Sequence, residues 1–153
     1  MGLYYVLILI PLLDQAMYAY LKASAWAVSH LLNLFGQGSH VDGTSIESAT
    51  CSIVVRRGCD ALEPAWFHCA AVLAFPAPFR RKLPGMLIGV TVIMIFNLVR
   101  IGSLFLFRRY YPSLFSAAHL EVWPILFLFL ALALWVGWIS WTRKNEAQEH
   151  AIA

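Results

Sequence analysis

Apolar residues fall into four long runs along this chain, and only one of the polar stretches between them is extended. The first run goes from Leu3 to about Phe35, interrupted at Asp14, Gln15 and Lys22. As one helix it would measure about 50 Å, against about 30 Å for a hydrocarbon layer. It therefore divides into a crossing over 3–21 and an interfacial stretch at 26–35 that buries Trp26, Val28, Leu31, Leu32 and Phe35. The second run, 61–79, corresponds to roughly 28 Å of helix. The third covers 83–107 and the fourth 118–142, with Pro124 either at the start of the last helix or kinking it one turn in. The pattern predicts an all-α, polytopic membrane helix bundle of about four transmembrane helices, a single domain over 1–153.

The extended polar stretch is 36–58. Asp42-Gly43 is a two-residue turn signal between β-branched runs, which predicts a small hairpin or extended pair leading up to Cys59. Asp60 with Glu63 three residues on reads as an N-terminal capping pattern, and Pro64 is tolerated because it falls in the first turn. Cys59 is then expected at or just before a helix start. There, unpaired N–H groups, the helix dipole and the neighbouring Arg56-Arg57 pair would all favour a thiolate.

Composition agrees with the membrane reading. Charged residues make up 12% of the 153, half the roughly 25% of a soluble domain, and mean hydropathy is +0.71. The net charge of +3 comes from short basic clusters beside apolar runs, with no basic stripe, so nucleic acid is excluded as a partner. Arg80-Arg81-Lys82 is the densest cluster and marks a cytoplasmic loop by the positive-inside rule. Both termini are then cytoplasmic and the 36–58 loop lies outside. The vote is narrow, because Arg143 and Lys144 join the inside while Arg56, Arg57, Arg108 and Arg109 stand outside. No basic n-region precedes the first run, and Val6 occupies the Ser/Thr position of a myristoylation signal, so neither a cleaved signal peptide nor that anchor is expected. Cys51, Cys59 and Cys69 match no disulfide framework or zinc spacing; a Cys51–Cys59 pairing is the structural alternative to a free thiol. No metal or cofactor is expected. His40 has no ligand set nearby and is expected in solvent, and His68-Cys69 is expected to pack in the core. Asp14 reads as a hydrogen-bonded helix contact.

Three residues carry chemistry to one membrane face whichever way the chain is oriented. Cys59 opens the second span, Arg100 lies near the outer end of the third, and His119 opens the fourth. An arginine in an apolar span costs about 2.5–3.5 kcal/mol on insertion scales and needs a partner or a wet cavity. Asn97 and Ser103, three residues to either side, share its helix face and are candidate substrate-binding residues. Cys59 is the candidate nucleophile and His119 the general acid/base. Arg100 stays protonated and can stabilise a thiolate or a tetrahedral oxyanion.

Arg57-Gly58-Cys59-Asp60-Ala61-Leu62-Glu63, then Asn97-Leu98-Val99-Arg100-Ile101, then Ala118-His119 resemble the exosortase/archaeosortase family, and the short chain is most similar to the compact exosortase H type. The resemblance covers about 51–125, with its motifs in family order; Ala61 departs from it, since many members carry Gly there. It implies a multi-pass protein of the cell inner membrane with its active site at the periplasmic face. It further implies a cysteine protease/transpeptidase that cleaves the C-terminal sorting signal (short motif, hydrophobic helix, basic tail) of exported proteins. Cys59, Arg100 and His119 map onto the proposed catalytic residues, and the partners are such exported proteins and membrane lipids. Two other readings compete. One is a non-enzymatic assembly or lipid-binding subunit in which Arg100 holds a headgroup phosphate. The other is a redox protein using Cys51 and Cys59.

Overall fold

The computed structural model describes residues 2–152 and, of their side chains, those of 13–145 and 148. The chain folds as two compact units, one of Met1–Asp60 with Leu98–Phe115, the other of Ala61–Asn97 with Ser116–Ala153.

The first unit is built on α1 (Gly2–Leu34). Leu21, Ala25, Val28 and Leu32 recur at helical spacing on one buried face, where they meet Ile101 and Phe105 from α3 (Phe79–Tyr110). Trp26, Leu31 and Phe35 are exposed instead of joining Val28 and Leu32: Trp26 falls on the opposite side of the same uninterrupted helix, Leu31 on its flank, and Phe35 just past its end at Leu34. One helix covers both the expected crossing at 3–21 and the expected interfacial stretch as far as Leu34; the side chains of the crossing up to residue 12 lie outside those described. The helix ends in a Schellman motif. Gly36 takes φ +71°, its N–H donates to Asn33 O at 3.0 Å, and the Gln37 N–H donates to Leu32 O at 3.1 Å. The Asn33 side chain then clasps Ser39 like a strand partner, accepting its N–H at 2.6 Å and donating to its carbonyl at 2.7 Å.

From Ser39 the chain enters a three-stranded antiparallel sheet in the order β1 (His40–Asp42), β2 (Ser45–Glu47), β3 (Ser52–Val54), one strand more than a hairpin. The β1–β2 loop is Gly43-Thr44, with positive φ at Gly43 alone of the two, the signature of a type II′ turn. Val41, Ile46 and Ile53 stand opposite one another across the sheet and face the α1 core. His40 lies on the outer face opposite Glu47, exposed as expected and 3.7 Å from its carboxylate.

The second unit packs α2 (Leu62–Ala74) on α5 (Trp123–Ile152). The Trp135 indole donates to Ala71 O at 3.2 Å and that of Trp138 to Arg81 O at 2.9 Å, while Phe96 meets Trp123 and Phe127 edge-on at 5.3 Å. His68 is buried, as expected, and its Nε2 lies 3.2 Å from Gly85 O. A cavity of about 300 Å³ is lined by His68, Gly85, Gly89, Leu134, Trp138 and Trp141. The 13 residues of α2 measure about 20 Å, shorter than the expected run to 79, because Phe75 precedes Pro76 and turns extended. The basic triplet sits in the first turn of α3, where Lys82 Nζ donates to the α2 carbonyl of Leu73 at 2.7 Å. Among the described residues, two stretches, Phe79–Tyr110 and Pro112–Asn145, are long and apolar enough to cross a membrane.

Candidate active site

Cys59 lies in a tight turn that the first unit holds from three sides. The turn closes through the Cys59 N–H, which donates to Arg56 O at 2.9 Å, and Gly58 takes φ +91°, a conformation glycine adopts without strain. The Asp60 carboxylate accepts the Gly58 N–H at 3.4 Å, and the Tyr20 hydroxyl of α1 donates to the Asp60 carbonyl at 2.7 Å. From α3, the buried Arg100 donates Nη1 to the Gly58 carbonyl at 3.4 Å. An arginine from a distant helix thus reaches the peptide unit that joins Gly58 to Cys59. The Cys59 side chain is half-buried against the α1 core.

The expected helix-start environment of Cys59 differs in two respects. The N-cap position of α2 falls on Ala61, one residue later than expected and without a side-chain hydrogen bond, and the buried Asp60 carboxylate accepts the Gly58 N–H. Cys59 therefore stands ahead of the helix, beyond the first turn to which the dipole effect is confined. Ala61 holds φ +56° and is buried, which explains why glycine is the easier residue at this position. Arg57 forms an ion pair with the Asp14 carboxylate, so its charge is compensated. Asp14 thus bonds to the loop and is exposed, in place of the expected contact within a helix bundle. Arg56 and Arg100 are the other cations bonded to this turn, Arg56 through its backbone carbonyl and Arg100 through its guanidinium.

The other candidate residues are Ser103, Asn97 and His119. Ser103 donates its hydroxyl to the Arg100 carbonyl at 2.8 Å, bonding back to its own helix. Asn97, fully buried in α3, belongs to the second unit. His119 also belongs to the second unit, half-buried in a π turn over Ala118–Val122. That turn sits directly ahead of Pro124, whose ring would clash with the Leu120 carbonyl in a regular α-helix. The wider turn, in which the Trp123 N–H bonds to Ala118 O, relieves the clash and sets where His119 projects. Cys51, Cys59 and Cys69 are all free thiols. Cys51 packs on the α1 core beside Arg108 and Arg109; burial pushes its thiol above the ordinary value, and the two guanidiniums offset part of that.

Two residues that hold the turn carry no such signal in the sequence. Tyr20 is one aromatic among many in an apolar run, with nothing local to mark it. Asp60 is legible as a polar residue, but its direction is not.

The family model for the transmembrane exosortase matches residues 1–136. No curated protein and no solved structure matches the chain.

Proposed function

The chain belongs to the transmembrane exosortase family, and we propose from that premise that it is a membrane-embedded cysteine protease/transpeptidase acting on the C-terminal sorting signals of exported proteins. The observation that supports this most is the buried Arg100 guanidinium, donated from α3 to the carbonyl of the residue preceding Cys59. A cation bonded to the peptide unit that leads into Cys59 is suited to stabilise the thiolate and the oxyanion of a carbonyl that it attacks.

In the proposed reaction the Cys59 Sγ attacks the scissile carbonyl after its proton passes to His119. Arg100 stabilises the oxyanion as the tetrahedral adduct forms. The C–N bond then breaks, and the His119 proton goes to the departing amine, leaving the upstream chain as a thioester on Cys59. An amine, hydroxyl or water acceptor attacks the thioester, gives its proton to His119, and the thiol is regenerated. Asn97 and Ser103, one turn to either side of Arg100, are proposed to line the substrate path. The protein is proposed to sit in the cell inner membrane with both termini cytoplasmic and Cys59 at the periplasmic face.

The test is co-expression with a tagged exported protein that carries a C-terminal hydrophobic helix and basic tail. Cys59→Ala and Cys59→Ser should leave it unprocessed while the variants accumulate normally. Processing at the unmodified rate by either variant refutes the reading. If Arg100→Ala then proved the variant that disrupts partner association, a lipid-binding or assembly role would be favoured instead.

A further inference from the structure

The strand that leads into Cys59 is an open sheet edge. In the order β1-β2-β3, β2 is central and α1 packs against β1 and β2. The pairing of Ile46 with Ile53, with Ser48 N donating to Cys51 O at 2.9 Å and Val55 N to Thr44 O at 3.0 Å, settles which backbone groups face β2. They are those of Cys51, Ile53 and Val55. In an antiparallel ladder the alternate residues point the other way, so the N–H and C=O of Ser52 and Val54 are directed off the edge. Among the described residues no backbone or side-chain group bonds to them. Natural edges are usually blunted by proline, lysine or a covering element; β3 has no such residue, and the exposed Val54 side chain stands beside the open groups.

Only a few residues, Val55–Gly58, separate this edge from Cys59. A cysteine peptidase must hold the chain around the scissile bond extended so that one carbonyl is presented to the thiol. We infer that β3 binds the substrate segment adjoining the scissile bond as an added strand, with the backbone groups of Ser52 and Val54 pairing to alternate residues of that segment. Recognition by an added strand draws its affinity from main-chain hydrogen bonds and its selectivity from alternate side chains, so sequence preference near the cut should follow a two-residue rhythm. The inference rests on the peptidase reading, and the substrate is its one occupant.

Two measurements test it, both with the tagged exported protein as probe. Because the Val54 N–H points off the edge, Val54→Pro removes an outward donor without touching the β2–β3 ladder. It should slow processing about fivefold or more, the effect of one lost peptide hydrogen bond, whereas Val54→Thr, which keeps the N–H, should stay within about twofold. Alkylation of Cys59 by a maleimide at the unmodified rate shows that the turn is intact in each variant. In the second measurement, a Cys59→Ser, Val54→Cys protein is oxidised with substrates carrying single cysteines around the cleavage point. Directly opposed strand positions lie within disulfide reach, so crosslinks should appear at every second substrate position. Wild-type processing by Val54→Pro, or crosslinks without that alternation, overturns the added-strand proposal, as does a crosslink between two copies of this chain in place of one to substrate. If Val54→Pro does not accumulate, the crosslinking pattern decides alone. Loss of processing in Cys59→Ala together with wild-type processing in Val54→Pro would leave the peptidase standing and remove the edge; activity in Cys59→Ala would remove the peptidase itself.

Discussion

Arg100 has two roles available, and their magnitudes separate them. Its bond to the Gly58 carbonyl is 3.4 Å long, at the weak end of the range. If Arg100 only helped to position the turn, its removal would compare with losing one modest hydrogen bond, about 1 kcal/mol, or about fivefold in rate. Tyr20→Phe supplies that benchmark directly. It deletes the 2.7 Å bond to the Asp60 carbonyl in the same turn while leaving every charge in place. If Arg100 instead stabilises the oxyanion, its loss should slow the reaction by about 100-fold to 1,000-fold, or about 2.7–4 kcal/mol. We expect Arg100→Ala to slow processing of the tagged exported protein into that range and Tyr20→Phe to slow it about fivefold. Arg100→Lys should fall between Ala and wild type, because it keeps the charge but loses the planar fork. The rate of Cys59 alkylation, followed in the same membranes, reports whether the turn still presents its thiol. Equal slowing by Arg100→Ala and Tyr20→Phe, with equal changes in alkylation, would refute the catalytic role and reduce Arg100 to a positioning residue.

Two further predictions concern other parts of the fold. A Cβ built on Gly89 falls on the buried His68 imidazole, so Gly89→Ala should destabilise the second unit by about 1–3 kcal/mol, whereas Gly137→Ala, which meets nothing within 4 Å, should be neutral or stabilising by up to about 1 kcal/mol; unfolding in a denaturing detergent titration checks both, and equal midpoints would overturn the packing argument. Because burial raises the Cys51 thiol pKa, less thiolate is present at any given pH, so its alkylation should rise with pH later than that of a free small thiol, and Arg109→Gln should delay it further by removing an offsetting charge; coincident pH profiles measured by mass spectrometry would refute this.

The parts of this molecule legible in its sequence are those set by periodicity and by single-residue backbone preferences. Of the residues read as buried at 26–35, Val28 and Leu32 do lie on the buried face of α1 with Leu21 and Ala25, whereas Trp26, Leu31 and Phe35 are exposed. The Asp42-Gly43 signal announced a turn, and Gly43 carries its positive φ. What stayed hidden depends on which of two satisfactory partners a polar group takes. Asp60 reads as the cap of α2, where Glu63 completes the pattern, yet the cap position falls on Ala61 in a left-handed conformation and the Asp60 carboxylate accepts the amide of Gly58.

Residues remote in the chain also hold this turn. Tyr20 holds the Asp60 carbonyl from α1, and Arg100 holds the Gly58 carbonyl from α3. Extending α2 by another turn to take in Cys59 would cost the bonds to both flanking carbonyls. The thiol therefore stays in a turn, separated from β3 by residues 55–58, rather than on a helix face, and the proposed guide for an extended peptide is the open edge of that strand. The non-helical setting of Cys59 and the free edge then belong to one device, and loosening the turn should impair substrate positioning as well as presentation of the thiol.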